Sequence, residues 1–203
     1  MDFNKNSGGK MKRLTLSVFA LFLILTINLA AQTIWKQDPN HSKLGFVVTH
    51  LSIADVTGYF TTFDVSVNSS QADFSDAVIE MTADINTINT GIDARDKHLR
   101  SADFFDAATF PTMTFKSTSI EKSGDKTYKL KGNLTMHGVT KEIAVELIHR
   151  GTIQNAMTNN ADVAGLQILG TLKRSDFNIG STFPDFAISD EVRIKADGEF
   201  SKK

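Results

Sequence analysis

The feature that most constrains this chain is a strict alternation of apolar and polar residues on either side of a two-residue break. Tyr128, Leu130, Gly132, Leu134 and Met136 share one parity, against Lys129, Lys131, Asn133 and Thr135. After His137-Gly138 the pattern resumes, with Val139, Lys141, Ile143, Val145 and Leu147 against Thr140, Glu142, Ala144 and Glu146. Successive strand side chains point to opposite faces, so this pattern fits a sheet with one dry face and does not fit a helix. A two-residue link ending in glycine predicts a tight hairpin. The same period returns at Ala77, Ile79, Met81, Ala83 and Ile85, and again at Val192, Ile194, Ala196 and Phe200.

Less regular strands fill the gaps at residues 42–51, 56–67, 112–120 and 163–174, giving about eight main strands and a short one near residues 34–37. Between residues 91 and 108 the alternation stops. Asp93, Ala94, Arg95, Lys97, Leu99 and Arg100 include no β-branched residue, which predicts one helical segment. A turn or a second short helix follows over residues 101–105, with Ser101 and Asp103 as capping residues. The reading is all-β: an eight-stranded antiparallel barrel with a helical insertion at about residues 91–108. Closure removes edge strands, and strands this long favour a barrel over a flattened sandwich.

The N-terminus supplies a different signal. Lys10, Lys12 and Arg13 precede an apolar run from Leu14 to Leu29, and Ala30-Ala31 follows. That order of charge, apolar stretch and small residues is a cleavable secretory signal over residues 1–31, and the run is too short and too diluted for a spanning helix. The expected location is the periplasm or the exterior, with residues 32–203 as a single domain and no stable membrane span after cleavage. Of 22 Lys/Arg and 23 Asp/Glu, the first 31 residues hold four and one, so the remainder carries a net charge of −4. Such a balance gives no footing for nucleic acid. The chain has no cysteine, so neither disulfides nor a lipidated cysteine contributes.

Two fillings of the barrel agree with the inward residues: large side chains that meet across the axis, or an apolar cavity. On the cavity reading, pleat alternation nominates Phe46, Val48 and Phe60, then Ile79, Met81 and Phe115, and finally Leu130, Leu134, Val145 and Ile194 as lining. Arg95 and His98 lie about one helical turn apart and, with His50, could meet a headgroup at the mouth. The bland alternative is a solvated helix face with an Asp96–Arg100 ion pair. Arg174-Ser175-Asp176-Phe177 reads as a buried Arg–Asp corner or as a rim contact. His137 reads as a turn residue and His149 as a strand end. The five histidines show no metal-ligand spacing, and no nucleophile elbow, dinucleotide fingerprint or phosphate loop is present.

Several ordered motifs bear a resemblance. They are Asp38-Pro39-Asn40-His41-Ser42, Gly58-Tyr59-Phe60, the run Arg95-Asp96-Lys97-His98-Leu99-Arg100-Ser101-Ala102-Asp103-Phe104-Phe105-Asp106, and Phe110-Pro111-Thr112-Met113-Thr114-Phe115. Gly132-Asn133-Leu134-Thr135-Met136-His137-Gly138 and Arg174-Ser175-Asp176-Phe177 follow in order. Together they resemble the YceI-like family across nearly the whole chain after the leader. The resemblance implies a lipocalin-like barrel that encloses a polyisoprenoid or related long-chain lipid and carries no catalytic constellation. One departure is Asn178, where the family often has glycine. The reading is therefore a binding and transport protein, not an enzyme, without a cofactor apart from a bound isoprenoid such as a polyprenyl chain or isoprenoid quinone. The alternatives are a lipid-modifying enzyme using His98 or His50 as base, and an interaction protein with a packed core. A homodimer is compatible with the sequence, which does not fix the oligomeric state.

Overall fold

The computed structural model describes residues 33–202, so the signal-peptide reading of residues 1–31 lies outside the described residues. The strands are β1 (Thr33–His50), β2 (Ala54–Phe60), β3 (Phe63–Ser69), β4 (Val78–Asp84) and β5 (Ile88–Asn89), then β6 (Thr112–Lys122), β7 (Thr127–Met136), β8 (Val139–Asn155), β9 (Ala161–Lys173) and β10 (Ile188–Lys202). One helix, α1 (Asp93–Arg100), lies between β5 and β6.

The sheet closes because its first and last strands pair. β1 runs antiparallel to β10 from Trp35 opposite Lys202 to His50 opposite Ile188. On its other side β1 meets β3 along its first part and β2 along its second. β2 and β3 thus form one strand, broken where Thr61 and Thr62 donate their N–H groups to the carbonyl and hydroxyl of Thr87. From β3 the order runs through β4, β6, β7, β8 and β9 to β10, and β5 is only a two-residue spur on β2. Counted this way, the wall is a closed antiparallel barrel of eight strands, as the alternation predicts.

Several boundaries differ from the sequence reading. Residues 34–37 open β1 and are not a separate strand. The register shifts between Asp38 and Lys43, where the Asp38 carboxylate accepts from Asn40 N–H at 2.9 Å and its carbonyl from Ser42 Oγ at 2.7 Å. That local turn inside a strand hides its continuity. Residues 56–67 split in two for the reason given above. β8 continues past Leu147 to Asn155, and His149 is a buried residue within it, next to a register shift that breaks the period. Of the two readings allowed after the helix, the turn is the one that agrees: residues 101–109 form turns, with Phe104 N–H donating to the Ser101 carbonyl at 3.1 Å. The 137–138 hairpin is as expected: His137 (φ 51°) and Gly138 (φ 72°) are both left-handed.

The two ends of the tube are unlike. At the end holding the β3–β4 loop, Phe74 is fully buried and packs its ring 4.9 Å from both Trp35 and His149. Tyr128 donates its hydroxyl to the Asp73 carbonyl at 2.6 Å, so this end is plugged. Asp76 fixes the loop by accepting from the hydroxyls of Ser69 and Ser70 and from the N–H groups of Ser70 (3.0 Å) and Gln71 (3.2 Å). Burial favours the neutral acid, yet these donors outweigh it and hold the carboxyl down to about 2. A depressed folded value gives stabilisation that is present above about pH 4 and lost as the pH falls through the folded value. Asp76→Asn is expected to cost about 1.5–3 kcal/mol at neutral pH. It should cost far less near pH 2, which urea unfolding at both pH values would show.

Candidate functional site: an apolar cavity open at one end

Several inward residues at mid-barrel are only half-buried, namely Phe46, Val48, Met81, Ile143, Ile168 and Ile194. They face the axis and are only partly covered by their neighbours. Between them lies a cavity of about 410 Å³, within the range of small-molecule sites. Of the two fillings that the sequence allowed, the barrel therefore has the open one.

Every residue nominated from the alternation borders this cavity. Phe46, Val48 and Phe60 do so from β1 and β2, Ile79 and Met81 from β4, and Phe115 from β6. Leu130, Leu134, Val145 and Ile194 complete the wall from β7, β8 and β10, and His50, Arg95 and His98 stand at the open end. Small inward residues are not all free space, because Gly132 and Gly58 yield room to the rings of Phe115 and Phe46, which a Cβ at either position would strike.

The open end is built from segments without a period, and here sequence reasoning missed most of the lining. Phe104 and Phe183 stack at 4.8 Å, and the His98 ring meets them edge-on at 4.9 and 5.9 Å. Phe105 packs on Phe60 at 6.0 Å. The only available signal was compositional, the density of phenylalanine between residues 104 and 115.

The polar groups here are mostly committed to the fold. Asp96 is buried and accepts from Thr90 N–H at 2.8 Å and from its hydroxyl at 2.5 Å, so the expected Asp96–Arg100 pair does not form. Arg95 donates through Nε to Thr90 Oγ1 at 2.7 Å and through Nη2 to the Thr90 carbonyl at 2.9 Å. One threonine thus orders both charged residues at the start of α1. His98 Nε2 lies 3.1 Å from the exposed Asp103 carboxylate. The His50 ring is exposed and has no hydrogen-bond partner among the described residues.

Arg174 is buried, as the corner reading expected, but its partner is not Asp176, which pairs with Lys141 on the surface at 3.2 Å. Its guanidinium donates to the carbonyls of Ile179, Gly180, Phe183, Ile188 and Ser189. The 174–188 loop is wound around this one side chain. Asn178 takes the left-handed conformation (φ 57°) that glycine supplies elsewhere, and asparagine tolerates it.

A model of the YceI-like domain matches residues 35–200. The chain belongs to the YceI-like family. This YceI-like chain is 33% identical over 190 residues to Protein YceI of Salmonella newport, covering 93% of its own length and 98% of that protein. Among solved structures, Burkholderia cenocepacia BcnA superposes with a TM-score of 0.70 at 27% identity, over 80% of this chain and 98% of that one. A polyisoprenoid binding domain from Saccharophagus degradans, implicated in plant cell wall breakdown, shares the fold with a TM-score of 0.62. That likeness, at 21% identity, covers 83% of this YceI-like chain and 98% of that domain.

Outside the barrel, Asp38, His41 and Glu199 each place one ligand atom within 4.8 Å of the others. His41 Nδ1 lies 2.9 Å from the half-buried Asp38 and 3.9 Å from Glu199, so the trio is held by its own charges. The Asp38 hydrogen bond raises the His41 pKa, with its charge and that of Glu199 adding to the effect. No helix among the described residues is long and apolar enough to cross a membrane.

Proposed function

We propose that this protein is a carrier for a long-chain isoprenoid lipid, a polyprenyl chain or an isoprenoid quinone, exported to the periplasm or beyond. The observation that carries the reading is a one-ended cavity walled mainly by hydrocarbon, with His50, Arg95, His98 and Arg174 at its mouth and Ser42, Lys43 and Asp197 bordering it further down β1 and β10. Burial contributes about 0.8 kcal/mol per CH₂, hence roughly 3–4 kcal/mol per isoprene unit. Association costs on the order of 4–15 kcal/mol in lost freedom. A few units outweigh that without any charged clamp. The polyisoprenoid binding domain of like fold supports the same class of ligand, and the charged, apolar and small-residue order of residues 1–31 supports export.

Binding is favoured over catalysis because the polar side chains at the mouth serve the fold. Arg95 and Arg174 spend their donors on backbone and threonine oxygens, and the imidazole–carboxylate pair at the mouth, His98 with Asp103 at 3.1 Å, is open to solvent, its side chains 48% and 65% exposed. Native mass spectrometry of protein purified from its host without detergent is expected to show an added mass matching a prenyl lipid. Protein that is uniformly empty and also refuses added prenyl lipid would end the carrier reading. A chemically altered lipid, lost in His98→Ala, would replace it with an enzyme.

A further inference from the structure

The open end of the barrel carries bare hydrocarbon on its outside as well as its inside. Leu51, Ile53 and Phe186 are 51%, 84% and 67% exposed. They stand on two turns that are tied together, since Leu51 N–H donates to the Ala187 carbonyl at 3.0 Å and Ser52 Oγ to the Phe186 carbonyl at 3.3 Å. Leu51 (φ 49°) and Ser52 (φ 58°) are both left-handed. Leucine is strained there, where asparagine or glycine would not be, so local backbone preference does not account for an apolar residue at this tip. Each turn is also continuous with the cavity wall. His50 and Val56 flank the first and Phe183 and Ile188 the second, and all four border the cavity.

We propose that these two turns seat the mouth of the barrel on a phospholipid bilayer, so that a prenyl chain passes between leaflet and cavity without crossing water. The cargo in this statement rests on the carrier reading, but the docking does not. Three features favour a bilayer over a protein partner. The exposed side chains sit on two narrow tips and offer a few hundred Å², short of the roughly 800 Å² per partner of a specific protein interface. Shallow insertion of such tips into the headgroup region needs no matching surface. The flanking carboxylates each have an arginine partner, Asp55 with Arg193 at 2.5 Å and the mostly exposed Asp185 with Arg174 at 3.4 Å, so the two turns carry no net charge that would select an anionic surface.

The test uses lipid-free protein and sedimentation with phosphatidylcholine vesicles. The parent protein is expected to bind, equally well with salt raised to about 0.5 M, where the Debye length is only a few ångströms. The Ile53→Ser/Phe186→Ser variant should bind at least tenfold less, with an unchanged melting temperature and unchanged uptake of geranylgeraniol from detergent micelles. Equal vesicle binding by parent and variant overturns the proposal, as does binding that salt abolishes. A parent dimer that the double substitution converts to monomer assigns the patch to a second copy and overturns it too. Failure of both proteins to take up geranylgeraniol counts against the carrier reading alone, because vesicle binding is measured on empty protein.

Discussion

Arg174→Met is expected to cost about 3–5 kcal/mol of stability, the combined penalty of several poorly hydrated carbonyls each losing a donor. Methionine fills much of the same space, so the loss is one of hydrogen bonds and not of packing. Five carbonyls of residues 179–189 take a guanidinium donor, and each would be left short of one in a place that water reaches poorly. The nearby Asp185 contributes little, since it is mostly exposed. For a domain of this size the melting temperature should fall by roughly 10–15 °C. Arg174→Lys keeps the charge but not the planar fork, and should recover less than half of the loss. A melting temperature within about 2 °C of the parent would show that the loop holds its own shape, for instance through the Phe104–Phe183 stack.

How far the structure was legible in the sequence depends on whether a segment repeats. β4, β7, β10 and β8 as far as Leu147 are legible in position and in face because one side of each meets the barrel axis and the other meets water. That single contrast writes a period of two. β1 was read in pieces because it has three neighbours and turns on itself between Asp38 and Lys43. The same logic separates the two parts of the cavity. Its walls were nominated from alternation, and those residues all border the void. Its floor and rim are not legible in this way, because Phe74, Phe104 and Phe183 reach their places through turns. Phe74 even takes a left-handed backbone (φ 64°) to bury its ring. A lone aromatic in a polar loop carries no period, and only three-dimensional neighbours reveal its role. Arg174 was recognised as a buried corner but given the wrong partner, since a sequence displays the carboxylate of Asp176 and hides the carbonyls of the backbone.

The same emptiness that identifies the cavity makes it an unusual target for substitution, because filling it should raise stability while removing function. Val48 and Ala196 face the void from neighbouring strands, opposite Val192 and Leu44, so larger side chains at the two positions do not collide directly. In the double variant Val48→Phe/Ala196→Phe, both rings project into space that no protein atom occupies. Cavity-filling changes of this kind commonly add about 0.5–2 kcal/mol of stability. For a prenyl ligand the effect has the opposite sign. Each isoprene unit denied its place loses roughly 3–4 kcal/mol of burial. Affinity for a long prenyl chain should then drop at least about a hundredfold, since each 1.4 kcal/mol is a factor of ten. A packed structural barrel or an enzyme acting at the rim would not couple the two readouts in this way. Protein whose melting temperature rises while its uptake of geranylgeraniol collapses identifies the void as the binding site. Uptake that persists undiminished in a folded double variant places the lipid elsewhere on the molecule.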